Sequence, residues 1–168
     1  MKVIGMFTYD PNQVHMVSKP VRTLEDFKGM VIRGTGPVMG EMISLFGATP
    51  SAIQVTELYS SLERKVVDGT FFSLSGAISY KLGEVVRYTT ICNSFVGSGA
   101  VTINQDVWNS LPPDIQKIIE EVSKEFRLGG GDQYDKTSQL GREELKKLNR
   151  EIITLPSDLP PSKLGGIW

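Results

Sequence analysis

Short apolar runs alternate with amphipathic stretches along the first part of the chain. The apolar runs have the length and residue types of β-strands and cover residues 3–9, 30–33, 49–55, 87–91 and 98–104. The amphipathic stretches place apolar side chains at helical spacing and cover residues 37–46, 56–66 and 76–86. Strands that alternate with helices predict an α/β fold.

Beyond residue 104 the pattern becomes mostly helical. Residues 112–126 predict a helix with an apolar face formed by Ile115, Ile118, Ile119, Val122 and Phe126. Three successive glycines at 129–131 are expected to interrupt this helical arm, because glycine is unfavourable inside a helix. Residues 142–156 predict the end of a helix and a last strand, and residues 157–168 show no periodicity.

Size and composition allow one packed domain and exclude several classes of protein. The chain has 168 residues, of which 40% are hydrophobic and 22% charged, and its net charge is −1. This balance disfavours a nucleic acid partner, which would call for a basic excess. No apolar run is long enough to span a membrane. Residues 1–8 lack the apolar region of a signal peptide, so we expect any export signal to lie outside this chain.

The residues best suited to catalysis or metal binding are scarce. Cys92 is the only cysteine, which excludes a disulfide within the chain and a multi-cysteine metal site, and we expect it to be a buried, unreactive thiol. His15 is the only histidine and lies in the polar segment 11–20, which predicts a surface loop. We therefore expect no catalytic centre, no cofactor and no metal site.

Arg33 is the most informative charged residue, because it ends an apolar strand just before a glycine loop and a helix. The loop is Gly34-Thr35-Gly36, and Pro37 suits the first turn of the helix. An arginine stays charged and is costly to bury unpaired, so it either points into solvent or meets an anion. Backbone N–H groups at a helix start and a guanidinium both favour an anion, and arginine binds a carboxylate through two parallel hydrogen bonds.

A nucleotide-binding or enzyme domain is the alternative interpretation of the same loop. The glycines at 34, 36 and 40 give GxGxxxG, whereas the dinucleotide fingerprint is GxGxxG followed by an acidic residue. Glu57 lies at about the right distance but at a helix start, and Pro37 removes a helix N–H that would bind phosphate. The pattern therefore favours a small anion over a nucleotide. A remnant that keeps the fold without binding anything is a third possibility.

The order of short motifs resembles the solute-binding proteins of TRAP (tripartite ATP-independent periplasmic) transporters, the DctP-type family. The motifs are Asp-Phe-Lys-Gly at 26–29, Val-Ile-Arg at 31–33, Gly-Ala-Thr-Pro at 47–50, Glu-Leu-Tyr-Ser-Ser-Leu at 57–62 and Val-Asp-Gly at 67–69. Residues 80–88 and 103–119 match as well. The likeness covers about residues 18–127 and concerns only the C-terminal portion of those proteins.

The resemblance implies a two-lobed, periplasmic-binding-protein-like fold that closes over an organic acid outside the cytoplasm and delivers it to membrane subunits. It implies that Arg33 clamps the ligand carboxylate and that Thr35 and Gly36 line the pocket beside it. The chain is thus expected to be a binding component and not an enzyme, although the sequence does not name the ligand.

One departure from the family pattern concerns the ligand. Many members continue Val-Asp-Gly with Gln-Glu-Asn-Pro, and the asparagine contacts ligand, whereas here Phe72 stands at that position. An aromatic ring offers stacking area and no amide, so the ligand is expected to be a carboxylate with an apolar or aromatic body. Phe71 or Phe72 would shape the pocket, because adjacent residues of a strand face opposite ways.

The resemblance also suggests how the chain is divided. Residues 1–95 would form the ligand-binding second lobe, 96–128 a crossover strand and helices belonging to the first lobe, 129–155 a return helix and strand, and 156–168 a tail. Without the rest of the first lobe, the apolar face that includes Trp108 and Leu111 would be exposed. We therefore expect a homo-oligomer, most simply a dimer joined through residues 99–127, with weak or no ligand binding by this chain alone.

Overall fold

The computed structural model describes residues 1–155, apart from the side chains of residues 126–134. The strands are β1 Lys2–Thr8, β2 Asn12–Met16, β3 Val31–Arg33, β4 Thr49–Ser51, β5 Gly69–Ser73, β6 Tyr88–Ile91, β7 Ser98–Ile103 and β8 Glu151–Thr154. The α-helices are α1 Gly36–Leu45, α2 Leu58–Glu63, α3 Leu74–Ser79, α4 Gln105–Ser110 and α5 Pro113–Lys147. Short 3-10 turns cover Leu24–Phe27, Val55–Glu57 and Leu82–Glu84. These elements confirm the α/β class.

The strands form one large sheet and one small sheet. The large sheet has six strands in the order β4-β3-β5-β2-β6-β8, and the small sheet pairs β1 with β7. Within the large sheet β2 runs antiparallel to both of its neighbours, and the other pairs are parallel. The C-terminal ends of β3, β4 and β5 therefore lie side by side, and ligands usually bind beside the C-terminal ends of the strands in open α/β sheets.

Helices cover both faces of the large sheet and bury two apolar clusters. One cluster packs α2, α3 and the end of α5 on the sheet, and its fully buried members include Leu58, Leu62, Leu74 and Leu82. The other packs α1 on the opposite face and is formed by Val14, Met16, Val21, Phe27, Ile32, Met39, Ile43, Ala48 and Phe71. A sheet buried on both faces explains why its strands read as apolar runs without clear alternation.

The small sheet is joined to the large one by helix α5 and by two crossings, which are the segments between β1 and β2 and between β6 and β7. The crossings run side by side, because Tyr9 N–H donates to the Gly97 carbonyl at 2.9 Å and Asn12 N–H donates to the Phe95 carbonyl at 2.8 Å. Gln13 ties them together, since its Oε1 accepts from the N–H groups of Cys92 and Asn93 at 2.9 and 3.0 Å. Helix α5 contacts β1 at its beginning and α3 and β8 further along.

The prediction of a helix break at 129–131 was wrong. Helix α5 is continuous from Pro113 to Lys147 and includes the three glycines. Packing near both ends stabilises the helix, because α5 contacts β1 near its start and Leu145 is buried near its end. The proposed domain boundary at residue 128 therefore falls inside α5. Residues 2–8 form β1 and pair with β7 of the small sheet, not with a strand of the large sheet.

Among the described residues, no helix is long and apolar enough to cross a membrane.

The prediction of a surface loop around His15 was also wrong. Residues 12–16 form β2, an interior strand of the large sheet, and His15 is 0% exposed. Its ring lies 2.9 Å from the Thr89 hydroxyl through Nδ1 and 3.2 Å from the Phe72 carbonyl through Nε2. The polar side chains of this strand are tolerated inside because each finds a hydrogen-bond partner.

Candidate ligand-binding site

Arg33 lies at the C-terminal end of β3, between β4 and β5. Its Cα pairs with Ser51 on one side and with Thr70 on the other. The side chain is only 2% exposed. It lies on the same face of the sheet as Val31, the residue two positions earlier. The guanidinium is therefore held by packing and does not point into solvent, which was one of the two possibilities raised by the sequence.

The buried guanidinium has no carboxylate partner among the residues that the structure describes. Its Nε–H donates to the Ile53 carbonyl at 3.0 Å, and its Cζ lies 5.5 Å from the centroid of the Phe72 ring. Burial lowers the pKa of Arg33, an effect that Tyr80 partly offsets. Because Nε is already bonded, a bound anion would meet the end of the guanidinium, where Nη1 and Nη2 lie. A buried cation of this kind is stabilised by an anion that binds it.

The loop after Arg33 leads directly into α1. Thr35 is the residue before the helix and its side chain makes no capping hydrogen bond, while Gly36 has a φ of 76°. Both residues are exposed beside Arg33, although the Thr35 N–H itself donates to Met39 Sδ at 3.4 Å. Gly34 is buried, and a Cβ there would lie 2.6 Å from Ile43 Cδ1, which explains why a glycine holds the turn against α1.

The structure separates the two phenylalanines. Phe71 is 2% exposed and lies in the α1 cluster, with its ring 5.9 Å from that of Phe27 and 6.4 Å from that of Phe46. Phe72 is half-buried and points to the other face of the sheet, where it contacts Arg33. We therefore keep Phe72 in the candidate site and interpret Phe71 as a core residue.

Helix α3 follows Phe72 and is anchored at its start. The Ser73 hydroxyl accepts from the Gly76 N–H at 3.1 Å and so caps the helix. Asp10, buried in the crossing between the two sheets, accepts from the Ser75 N–H at 3.1 Å and from the Ser75 hydroxyl. These bonds fix the position of α3 against the strand that carries Phe72.

Three groups of the site could not be identified as such from the sequence. They are the Ile53 carbonyl, which holds Arg33, Tyr80, whose ring lies 5.8 Å from that of Phe72, and Gly76, which contacts the same ring. The sheet brings Ile53 to Arg33, and the placement of α3 against β5 brings Gly76 and Tyr80 to Phe72. Among the described residues, no group of three or more His, Cys, Asp or Glu side chains could hold a metal ion.

Comparison with known proteins identifies the family. The sequence profile of bacterial extracellular solute-binding protein family 7, DctP, matches residues 1–159. The chain belongs to this family. Membership supports the receptor interpretation of the glycine loop and not the nucleotide-binding alternative, because the profile describes solute-binding proteins.

The DctP relatives include proteins of known ligand class and solved structures. The chain is 28% identical to the C4-dicarboxylate-binding periplasmic protein DctP of Rhodobacter capsulatus over 73% of this chain and 38% of that protein. A TRAP periplasmic solute-binding protein from Desulfovibrio salexigens with bound orotic acid superposes with a TM-score of 0.87 and 26% identity, over 97% of this chain and 52% of that one. One from Bordetella bronchiseptica with bound (R)- and (S)-mandelate gives 0.84 and 25%, over 96% and 52%.

These relatives are longer than this chain. The chain spans about half of the two solved structures and less than half of the Rhodobacter capsulatus protein. The fold of the DctP family is thus present over almost the whole chain, whereas these relatives contain additional structure.

Proposed function

We propose that this chain is the carboxylate-binding part of an extracytoplasmic receptor that delivers an organic acid to the membrane subunits of a TRAP transporter. The observation that carries the proposal is Arg33, a buried guanidinium without a carboxylate partner in the described part of the chain, held at the sheet edge by Ile53. DctP family membership supports the transport role and the location outside the cytoplasm.

The carboxylate would bind end-on to Arg33, with the loop at Thr35 and Gly36 beside it. Both residues are exposed at the start of α1, where Thr35 is the N-cap and Gly36 the first residue, and the N–H groups of the first turn favour negative charge. The same loop explains why an anion is preferred to a neutral solute. A receptor needs no reacting group at this position, in keeping with the solute-binding description of the family.

The ligand class would be a monocarboxylate with an aromatic or apolar body. Phe72 lies against the guanidinium and is partly exposed, so a flat ligand body can pack beside the charged group. The solved relatives with orotic acid and with mandelate carry ring-bearing acids, whereas the Rhodobacter capsulatus relative is named for C4-dicarboxylates. Mandelate and orotate should therefore bind more tightly than succinate.

A titration of Arg33 variants tests the proposal. We would follow ¹H–¹⁵N spectra while adding mandelate, orotate or succinate to millimolar concentration, because we expect weak binding by this chain alone. Arg33→Ala should abolish the shifts around residues 33–36. Arg33→Lys should lose most of the affinity, since an ammonium cannot form the two parallel bonds.

Arg22→Ala is the matched control, because it removes an exposed arginine that pairs with Glu151 on the surface. It should bind as the unmodified chain does. Equal binding by the Arg33→Ala variant would refute the clamp. Stabilisation by NAD or ATP in a parallel thermal-shift experiment would instead favour the nucleotide alternative.

We further propose self-association through residues 99–127, although the structure narrows the surface available. Trp108 is 6% exposed, with Lys2 Nζ 4.6 Å from its ring centroid, so it is covered within the chain and not left open as predicted. Ile115, Ile118 and Val122 remain exposed on α5. Light scattering at tens of micromolar tests this: a dimer that Ile118→Glu dissociates is expected, and a clean monomer would exclude it.

A further inference from the structure

The ring of Phe72 occupies the space in which a side chain at position 76 would stand. A Cβ built on Gly76 would lie 2.5 Å from Phe72 Cε1 and 3.0 Å from both Cδ1 and Cζ. Gly76 lies inside α3 and does not have a positive φ, so its backbone conformation would accept an alanine. Glycine disfavours a helix relative to alanine. The reason for glycine here is therefore the close approach of the ring.

Tyr80 closes the space on the same side of Phe72. The two rings lie 5.8 Å apart at an interplanar angle of 71°, an edge-to-face contact. Tyr80 N–H donates to the Gly76 carbonyl at 3.0 Å, which places Tyr80 one turn beyond Gly76. The absence of a side chain at Gly76 thus leaves space for the Phe72 ring, and Tyr80 limits the rotation of that ring.

Arg33 lies against the same Phe72 ring. The distance from Arg33 Cζ to the ring centroid is 5.5 Å, and the Nε bond to Ile53 fixes the guanidinium from one side only. The ring is therefore one of the groups that pack around the free end of the guanidinium. Any residue that moves the ring moves the surface that a carboxylate would meet.

We propose that Gly76 and Tyr80 are positioning residues that hold Phe72 against Arg33 and so set ligand selectivity. This proposal rests on the proposed function for its ligand-binding part, but the placement of the ring can be measured without a ligand. Neither residue touches the carboxylate. Their effect passes through the Phe72 ring, which a flat ligand body would contact.

The stability test uses a second glycine in a helix as its control. Gly40 lies inside α1, and a Cβ there would come no closer than 3.9 Å to Pro50 Cβ, so alanine fits. Gly40→Ala should raise the Tm by about 2–4 °C, as expected for a glycine-to-alanine change within a helix of a chain of this size. Gly76→Ala should lower the Tm instead. When the Phe72 ring is removed first, Gly76→Ala should raise the Tm as Gly40→Ala does. The ring would be removed with Phe72→Ala, or with Phe72→Val if the alanine variant is too unstable.

The second readout is the Nε–H resonance of Arg33, which senses the ring current of Phe72. Gly76→Ala and Tyr80→Leu should shift it in the direction seen for Phe72→Val, whereas Gly40→Ala should not. If the chain binds mandelate, Gly76→Ala should lower the preference for mandelate over succinate by about 2- to 10-fold, the range for one aromatic contact.

Two results would overturn the proposal. One is a Gly76→Ala variant that is stabilised as much as Gly40→Ala and leaves the Arg33 resonance in place. The other is an effect of Gly76→Ala that stays the same after the Phe72 ring is removed. A chain that binds no acid would contradict the proposed function, while the Tm and resonance measurements would still decide the roles of Gly76 and Tyr80.

Discussion

The buried histidine makes the stability of this protein depend on pH in a defined window. His15 is 0% exposed and its burial lowers its pKa from 6.5 to about 4, an effect only partly offset by the bond to the Phe72 carbonyl and by the nearby Asp10. The unfolded chain therefore binds a proton on this group at a higher pH than the folded chain does. Stability rises with pH wherever the unfolded state binds more protons, so it is lost as the pH falls from about 6.5 towards 4.

The size of the effect follows from the two pKa values. The full difference corresponds to about 3 kcal/mol, at about 1.4 kcal/mol for each pKa unit. Between pH 7 and pH 5 the loss should be about 2 kcal/mol, because the folded histidine remains neutral over that interval while the unfolded one becomes charged. Carboxylates contribute little there, since their ordinary pKa values lie lower.

Two measurements check this expectation. Urea unfolding at pH 7 and pH 5 should show the loss in the original chain and a much smaller one in His15→Gln, in which the titrating group is absent. Because His15 is the only histidine, its ring proton signals are identified without assignment, and they should not titrate above pH 5 in the folded chain. A folded-state titration near pH 6.5, or equal losses in both chains, would refute the reasoning.

Three further expectations concern the core and the crossing between the sheets. Phe71→Ala should cost about 3–5 kcal/mol in urea unfolding, because it removes a buried ring that contacts Phe27 and Phe46; a loss below 1 kcal/mol would place Phe71 outside the core. Gln13→Ala should cost about 2–4 kcal/mol, since it leaves the N–H groups of Cys92 and Asn93 without their acceptor, and an unchanged unfolding midpoint would contradict this. Burial raises the pKa of Cys92, so its alkylation by iodoacetamide at pH 8 should be much slower than that of a free thiol and should become fast in urea; rapid alkylation of the folded chain would show that the thiol is accessible.

The elements that the sequence predicted well are those with one strong local signal. Helix α1 was predicted from helical spacing and an early proline, and the strand before it was predicted from its apolar run. Arg33 stood out because a cation at the end of such a strand needs an explanation. Local patterns of this kind do not depend on the partner of the element.

The errors occurred where distant parts of the chain decide the outcome. Residues 12–16 look polar, but they pair through the backbone with β5 and β6, and the side chains of Gln13 and His15 find partners far along the chain. The glycines at 129–131 disfavour a helix locally, but packing at both ends of α5 overrides that preference. Whether Phe71 or Phe72 faces Arg33 depends on the register of β5, which the sequence alone does not show.

The central place of β2 has a consequence for folding kinetics. Both partners of this strand follow it much later in the chain, and His15 and Thr89 are 74 positions apart. The small sheet repeats the arrangement, since β1 pairs with β7. Pairings of such high sequence separation slow folding, because a long loop must close before any contact forms. Residues 12–16 must therefore wait until residues 69–91 have been made, and a strand that is unpaired during that delay is a site at which chaperones or aggregation can act.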